Sequence, residues 1–259
     1  MHNKTIIPQI SSLDFHTKEA INILRGNIQM AGYNVKVIAL TSARANEGKS
    51  SLSFRLAKSL AGLNKKVVYL DCDIRNSKTK KRYRIVEKTE GLSEYLCGQQ
   101  PVENIIYPTD DPCFDIIFSG KYAPNPSELL SGELFLTLIK SLKSQYDYVI
   151  VDTPPANLVV DSVLVAKNCD ATIIVVESGL TDRREALRLK GLLENAEIKV
   201  LGVVLNKIEF AKKRYGYGKY GYKKYGYGKY GYGSYGYGYE EYIKETEEHR
   251  KADKNESKS

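Results

Sequence analysis

The sequence predicts an α/β fold: a doubly wound, mostly parallel sheet with helices on both faces, followed by a flexible Tyr/Gly-rich C-terminal tail. Three observations carry that expectation. From residue 35 to residue 206, short β-branched runs alternate with segments of helical periodicity, the pattern of a parallel sheet covered by helices. A glycine-lysine-serine turn, "EGKS" at 47–50, stands between the first such run and the helical segment after it. Beyond residue 214 the regular pattern stops, and 12 of the chain's 20 tyrosines fall between 214 and 242.

In chain order, "HTKEAINILRGNIQMAG" within residues 8–34 reads as an amphipathic helix able to pack on the body or on a neighbour. "VKVIALT" (35–41) is the first strand. In "GKSSLSFRLAKSLAGLN", Leu52, Leu56 and Leu60 recur at helical spacing and Gly62 marks the end. "KKVVYLDCD" (65–73) is the second strand, and later strands are expected at 114–120, 147–155, 171–177 and 198–206. Helices are expected at about 132–144, 160–168 and 182–195. Six or seven strands thus form one domain over 35–210, with an N-terminal segment at 1–34 and a tail at 211–259.

A chain of 259 residues that is 42% hydrophobic and 27% charged can bury one substantial core, or at most two small ones. No stretch approaches the ~18 apolar residues of a membrane span, and the N-terminus lacks the form of a secretory leader, so a cytoplasmic protein is expected. Cys72, Cys97, Cys113 and Cys169 are scattered and read as reduced, mostly buried thiols, with neither a disulfide framework nor a zinc site. The formal net charge is +8, but residues 1–210 carry 27 basic and 24 acidic side chains. Residues 211–239 carry seven basic side chains and no acidic one, so the excess lies in the tyrosine-rich tail.

"EGKS" has the setting of a P-loop, with a strand before it and a helix after it. Backbone N–H groups of Asn46, Glu47, Gly48 and Ser51 and the helix start would cradle phosphate oxygens. Lys49 would reach the β and γ phosphates, and the Ser50 hydroxyl would ligate Mg²⁺. Ala43 stands where the common pattern has its first glycine, and Asn46 is suited to a left-handed conformation if the loop needs one there. Asp71 and Asp73 end the second strand two apart, so their side chains should leave it in one direction; Arg75 follows, and Asp152 ends "YVIVDTPP". In a doubly wound sheet all three carboxylates would meet the P-loop beyond the strand C-termini. There they could hold Mg²⁺ and accept a proton from an attacking hydroxyl. The chemistry indicated is that of a nucleotide triphosphatase or a phosphoryl transferase.

In this order, P-loop, "VVYLDCDIR", "GKYAPNPSELL" (120–130), "VIVDTPP" and a tyrosine-rich C-terminus, the chain resembles the bacterial tyrosine kinases. It is most similar to the cytoplasmic capsule or exopolysaccharide regulators of Gram-positive bacteria, and the resemblance covers about residues 15–242. It implies a P-loop NTPase-like kinase that uses ATP and Mg²⁺, with Lys49, Ser50 and Asp152 at the phosphates and metal. Asp71 and Asp73 would contribute to the metal environment, one of them polarising the tyrosine hydroxyl, and Asn206 in "GVVLNK" would read the adenine edge. It further implies a homo-oligomeric ring contacted through an E-x-x-R-x-x-R helix, here Glu19, Asn22 and Arg25 with the middle arginine absent. The implied partners are a transmembrane activator whose cytoplasmic tail completes the ATP site, a cognate tyrosine phosphatase, and sugar-polymer synthesis and export proteins. The activator would recruit the chain to the inner face of the cell membrane.

The tail then reads as substrate, with Tyr215, Tyr217, Tyr220, Tyr222, Tyr225, Tyr227, Tyr230, Tyr232, Tyr235, Tyr237, Tyr239 and Tyr242 as acceptors. Two other readings of the tail stand beside it: stacking on single-stranded nucleic acid and low-complexity self-association. Attached to this body, no nucleic acid partner is expected. An alternative for the whole chain is a non-kinase P-loop switch ATPase with a Tyr/Gly-rich binding tail. That class commonly carries a second loop lysine where this chain has Arg44.

Overall fold

The computed structural model describes residues 4–123, 125–157 and 159–208. Seven strands form one sheet: β1 (Val37–Ser42), β2 (Val67–Asp71), β3 (Ile106–Pro108), β4 (Phe114–Ile117), β5 (Tyr148–Asp152), β6 (Ala171–Glu177) and β7 (Val200–Asn206). Their spatial order is β3-β4-β2-β5-β1-β6-β7. Every pairing is parallel except β3 with β4. The central strands are β-branched runs buried on both faces, as parallel strands under helices must be.

Eight α-helices are described: α1 (Phe15–Met30), α2 (Lys49–Ala61), α3 (Thr79–Arg82), α4 (Leu92–Leu96), α5 (Pro126–Ser131), α6 (Glu133–Gln145), α7 (Asp161–Ala166) and α8 (Arg183–Asn195). Asp14 caps α1 by accepting the Thr17 amide at 3.0 Å, and Asp182 caps α8 through the Arg184 amide at 2.7 Å. Alternate strand residues face opposite layers. Val37 and Ala39 join Leu92, Leu130, Phe135, Leu138, Val165, Leu189 and Leu193 on one side; Ile38 and Leu40 join Ile21, Ile28, Leu52, Phe54, Leu56 and Leu60 on the other. Helices therefore cover both faces. In the second layer Phe54 stacks on Tyr83 at 3.8 Å between ring centroids and meets Tyr69 and Phe114 edge-on at 5.1 and 5.3 Å.

Several local expectations change. The second strand stops at Asp71 instead of 73, because the chain turns there: the Asp73 amide donates back to Asp71 Oδ1 at 3.1 Å. The 126–131 part of "GKYAPNPSELL" is helical, started by Pro126 at its first position, where a missing N–H costs nothing. β3 was not foreseen; three residues ending in proline suit only an edge. Of the four thiols only Cys72 is buried, Cys97 is exposed, and all four are free. Among the described residues no helix is long and apolar enough to cross a membrane.

Candidate active site

The loop between β1 and α2 is shaped by two left-handed residues, Asn46 (φ +66°) and Gly48 (φ +85°). Asparagine tolerates this conformation better than most residues. At Gly48 there is a second constraint, since a Cβ would stand 2.1 Å from Asn206 Nδ2. Glu47 is buried and braces the loop internally: Oε2 accepts the Arg44 amide at 2.8 Å and Oε1 accepts the Thr181 hydroxyl. From the end of β7, Asn206 Nδ2 donates to the Glu47 carbonyl at 2.8 Å, and Lys207 Nζ donates to the Asn46 carbonyl at 2.7 Å. Arg44, at the second-lysine position, pairs with Glu185 of α8 at 2.7 Å.

α2 begins at Lys49, so its first-turn N–H groups have no intrahelical acceptor, and the residues that carry them, Lys49, Ser50 and Ser51, line the cavity. Lys49 Nζ lies 3.0 Å from Asp152 Oδ1 in a buried ion pair and 3.3 Å from Ser50 Oγ. Asp152 Oδ2 accepts the Tyr69 hydroxyl at 3.1 Å. Asp71 and Asp152 end adjacent strands in register. Asp71 is fully buried, and its Oδ2 accepts the Ser77 hydroxyl at 2.5 Å. Burial first, and the neighbouring Asp152 charge second, push the Asp71 carboxyl up to about 7.

Asp73 lies past the strand end and is half-buried; Oδ1 accepts the Asn76 amide at 3.0 Å, and burial raises its pKa. Of the two aspartates it is the one with solvent access. Arg75 does not enter the cavity as a free cation: Nε and Nη2 grip Asp161 at 2.6 and 3.1 Å, and Nη2 also reaches Ser127 Oγ at 3.0 Å. This joins the strand-end loop to α5 and α7.

Asn46, Glu47, Gly48, Lys49, Ser50, Ser51, Asp71, Asp73, Asp152 and Asn206 all line one cavity of about 590 Å³, a volume suited to a nucleotide-sized ligand. A turn with no room for a Cβ, a helix start and a buried lysine fit the phosphates of ATP. Among the described residues no three His, Cys, Asp or Glu side chains converge into a metal-holding group. The set present, a serine hydroxyl beside carboxylates, fits Mg²⁺, which binds through one or two carboxylates and otherwise keeps phosphate and water ligands.

Sequence reasoning did not find Tyr69, Ser77, Thr79 and Arg82. Tyr69 and Ser77 hold the carboxylates, Thr79 Oγ1 lies 3.3 Å from the Tyr69 hydroxyl, and Arg82 Nη1 donates to Ser51 Oγ. The basic run 78–84 after Asp73 was the signal for Thr79 and Arg82 only. In α1, Glu19 Oε1 accepts from Asn22 Nδ2 at 2.9 Å, and Arg25 Nη1 donates to Ser59 Oγ and to the Ser59 carbonyl at 2.9 Å, packing α1 on α2. The tail tyrosines lie outside the described residues.

A family model described as an AAA domain matches residues 35–195. Tyrosine-protein kinase CpsD of Streptococcus agalactiae is 39% identical over 203 residues, covering 78% of this chain and 89% of that protein. Among solved structures, the chimerical protein CapA2B2 matches with a TM-score of 0.71 at 33% identity, over 78% of this chain and 92% of the other. The kinase domain of the Escherichia coli tyrosine kinase ETK matches with 0.69 at 30% identity, over 79% and 80%. Identity at this level along almost the whole length of a relative reflects common descent, and the chain belongs to the bacterial tyrosine-protein kinases, within the AAA-domain family.

Proposed function

We propose that the chain is an ATP- and Mg²⁺-dependent protein tyrosine kinase that phosphorylates its own C-terminal tyrosines in trans within a homo-oligomer, and so regulates capsular or exopolysaccharide synthesis and export. The observation that carries this reading is the convergence of Lys49, Asp71, Asp73 and Asp152 on one cavity at the C-terminal end of the sheet. Lys49, Ser50, Ser51 and the backbone of 46–49 would hold the phosphates, Ser50, Asp71, Asp73 and Asp152 would provide the metal environment, and Asn206 would border the base. Bound Mg²⁺ would neutralise charge on the phosphate oxygens.

Asp73 is the better placed of the two strand-end aspartates to accept the proton of a tyrosine hydroxyl, being half-exposed with a raised pKa. Asp71, fully buried and held by Ser77, positions the loop that carries Asp73. Lys49 serves two anions, Asp152 and the incoming phosphate, and its burial strengthens both attractions.

The substrate segment carries seven basic and no acidic side chains over 211–239. Each phosphate adds about −1.5 to −2 charges, so four or five would reverse its sign and loosen its hold on an aspartate-lined cleft. Glu19 and the uncommitted part of the Arg25 guanidinium would contact a neighbouring copy in the ring. A transmembrane activator, a tyrosine phosphatase and polymer-export proteins complete the proposed setting, at the inner face of the cell membrane.

Intact-mass spectrometry after incubation with ATP and Mg²⁺, with and without a candidate activator tail, tests the reading. The expected result is a ladder of phosphoryl additions within residues 215–242 that is absent in Lys49→Met. ATP hydrolysis with no addition under any condition would overturn it in favour of the switch ATPase.

A further inference from the structure

A second cleft, of about 650 Å³, opens beside the active-site cavity and shares Ser51 and Arg82 with it. Its walls carry three guanidinium groups, Arg55, Arg82 and Arg84, and no carboxylate. One wall is the N-terminal segment 9–11, tied down where the Gln9 amide donates to the Tyr83 carbonyl at 3.0 Å and Arg55 Nη2 donates to Ser11 Oγ at 3.0 Å. Arg84 Nη1 reaches Gln9 Oε1 at 3.3 Å.

Two buried donors on residues that line this cleft are unused. Tyr83 is only 4% exposed and its ring is fixed by stacking on Phe54, yet among the described residues its hydroxyl has no hydrogen-bond partner. Arg55 Nη1 is likewise buried and unpartnered. Buried polar atoms are nearly always satisfied, and exceptions call for an explanation. A phenolic O–H and several planar guanidinium forks, with no competing carboxylate, form a donor set complementary to a dianionic phosphate monoester.

We propose that this cleft binds a phosphotyrosine side chain on a peptide segment, the product class of the kinase reaction; the proposal rests on the kinase reading for the identity of that product. Arginine clusters recognise phosphorylated side chains by bidentate hydrogen bonding. Ile10 offers an apolar contact for the aromatic ring. The shared Ser51 and Arg82 place the cleft next to the cavity where phosphotyrosine would form, so a finished acceptor has an adjacent place to rest while another enters.

The test uses the full chain, phosphatase-treated and without nucleotide, and a labelled peptide of residues 224–233 phosphorylated at Tyr227, followed by fluorescence anisotropy. The phosphopeptide should bind at least about tenfold more tightly than the unphosphorylated peptide, and Arg84→Ala should weaken it about tenfold, the effect of losing one charge-assisted hydrogen bond. Tyr83→Phe keeps the stacked ring and removes only a hydroxyl without a partner in the chain. It should weaken the phosphopeptide several-fold with no loss of thermal stability, whereas a purely structural tyrosine would show the opposite pattern. Equal binding of the two peptides, or unchanged binding in both variants, would overturn the proposal. Inorganic phosphate competing as tightly as the phosphopeptide would also overturn it, reducing the cleft to a simple anion site. Because binding needs no ATP, its failure is separable from failure of the kinase reading, which is judged by phosphoryl addition alone.

Discussion

Asp71→Asn isolates the electrostatic strain at the strand ends. In the folded chain the carboxyl is pushed from 3.8 up to about 7, by burial first and by Asp152 second. Between these values the native state holds a proton that the unfolded state has released, so stability falls as pH rises through the window from about 4 to about 7. Three pKa units correspond to about 4 kcal/mol in all, of which about 3 kcal/mol falls between pH 5 and pH 8. Asparagine is neutral throughout. It can still accept the Asp73 amide with its carbonyl, while its amide group donates to the Ser77 hydroxyl that now donates to Asp71. Urea unfolding followed by far-ultraviolet circular dichroism, without nucleotide or metal, should show the variant gaining about 3 kcal/mol on wild type between pH 5 and pH 8. A stability difference that stays constant across that range would refute the raised pKa and the close Asp71–Asp152 pairing behind it.

Gly48→Ala should cost well over 1 kcal/mol and abolish nucleotide binding by calorimetry, because it combines a left-handed backbone with a Cβ 2.1 Å from Asn206 Nδ2. Burial pushes Asp161 up, but its bonds from Arg75 and Ser127 outweigh this and hold it below the usual carboxylate range. Arg75→Ala should therefore lower stability at neutral pH, and the gap to wild type should close as pH falls through and below about 4. Phe135→Ala, fully buried between α6 and the sheet, should cost about 3–5 kcal/mol in chemical denaturation with little effect on ligand affinity.

The parts of the site legible in the sequence were those fixed by strand ends. A β-branched run followed by Gly48-Lys49-Ser50, and two runs ending in Asp71 and Asp152, place their side chains through sheet topology alone, and topology can be read from periodicity. The partners of Arg75 could not be read in this way. Asp161 lies 86 residues away and Ser127 lies 52 away, and no local pattern relates residues brought together by the packing of α5 and α7. The same holds for the bond from Thr181 to Glu47 across 134 residues. β3 escaped because three residues are too few to show alternation. The thiols were expected to be mostly buried and only Cys72 is, because frequency of burial by residue type says nothing of where a residue falls, as at Cys97, which ends a largely buried five-residue helix in an exposed turn. Asn46 shows the reverse case: the left-handed conformation that its short polar side chain permits is the one the loop adopts.

Phe54 touches Tyr69, whose hydroxyl holds Asp152, and stacks on Tyr83, one of the residues lining the arginine-rich cleft. A single fully buried ring is thus packed both against the tyrosine that holds an active-site carboxylate and against a tyrosine of the second cleft, and in a close-packed interior a change in its volume is felt by both. Variation at position 54 is therefore not silent core drift. The two tyrosines share one packing partner, and a volume change at 54 should appear as paired changes at the active site and in the second cleft.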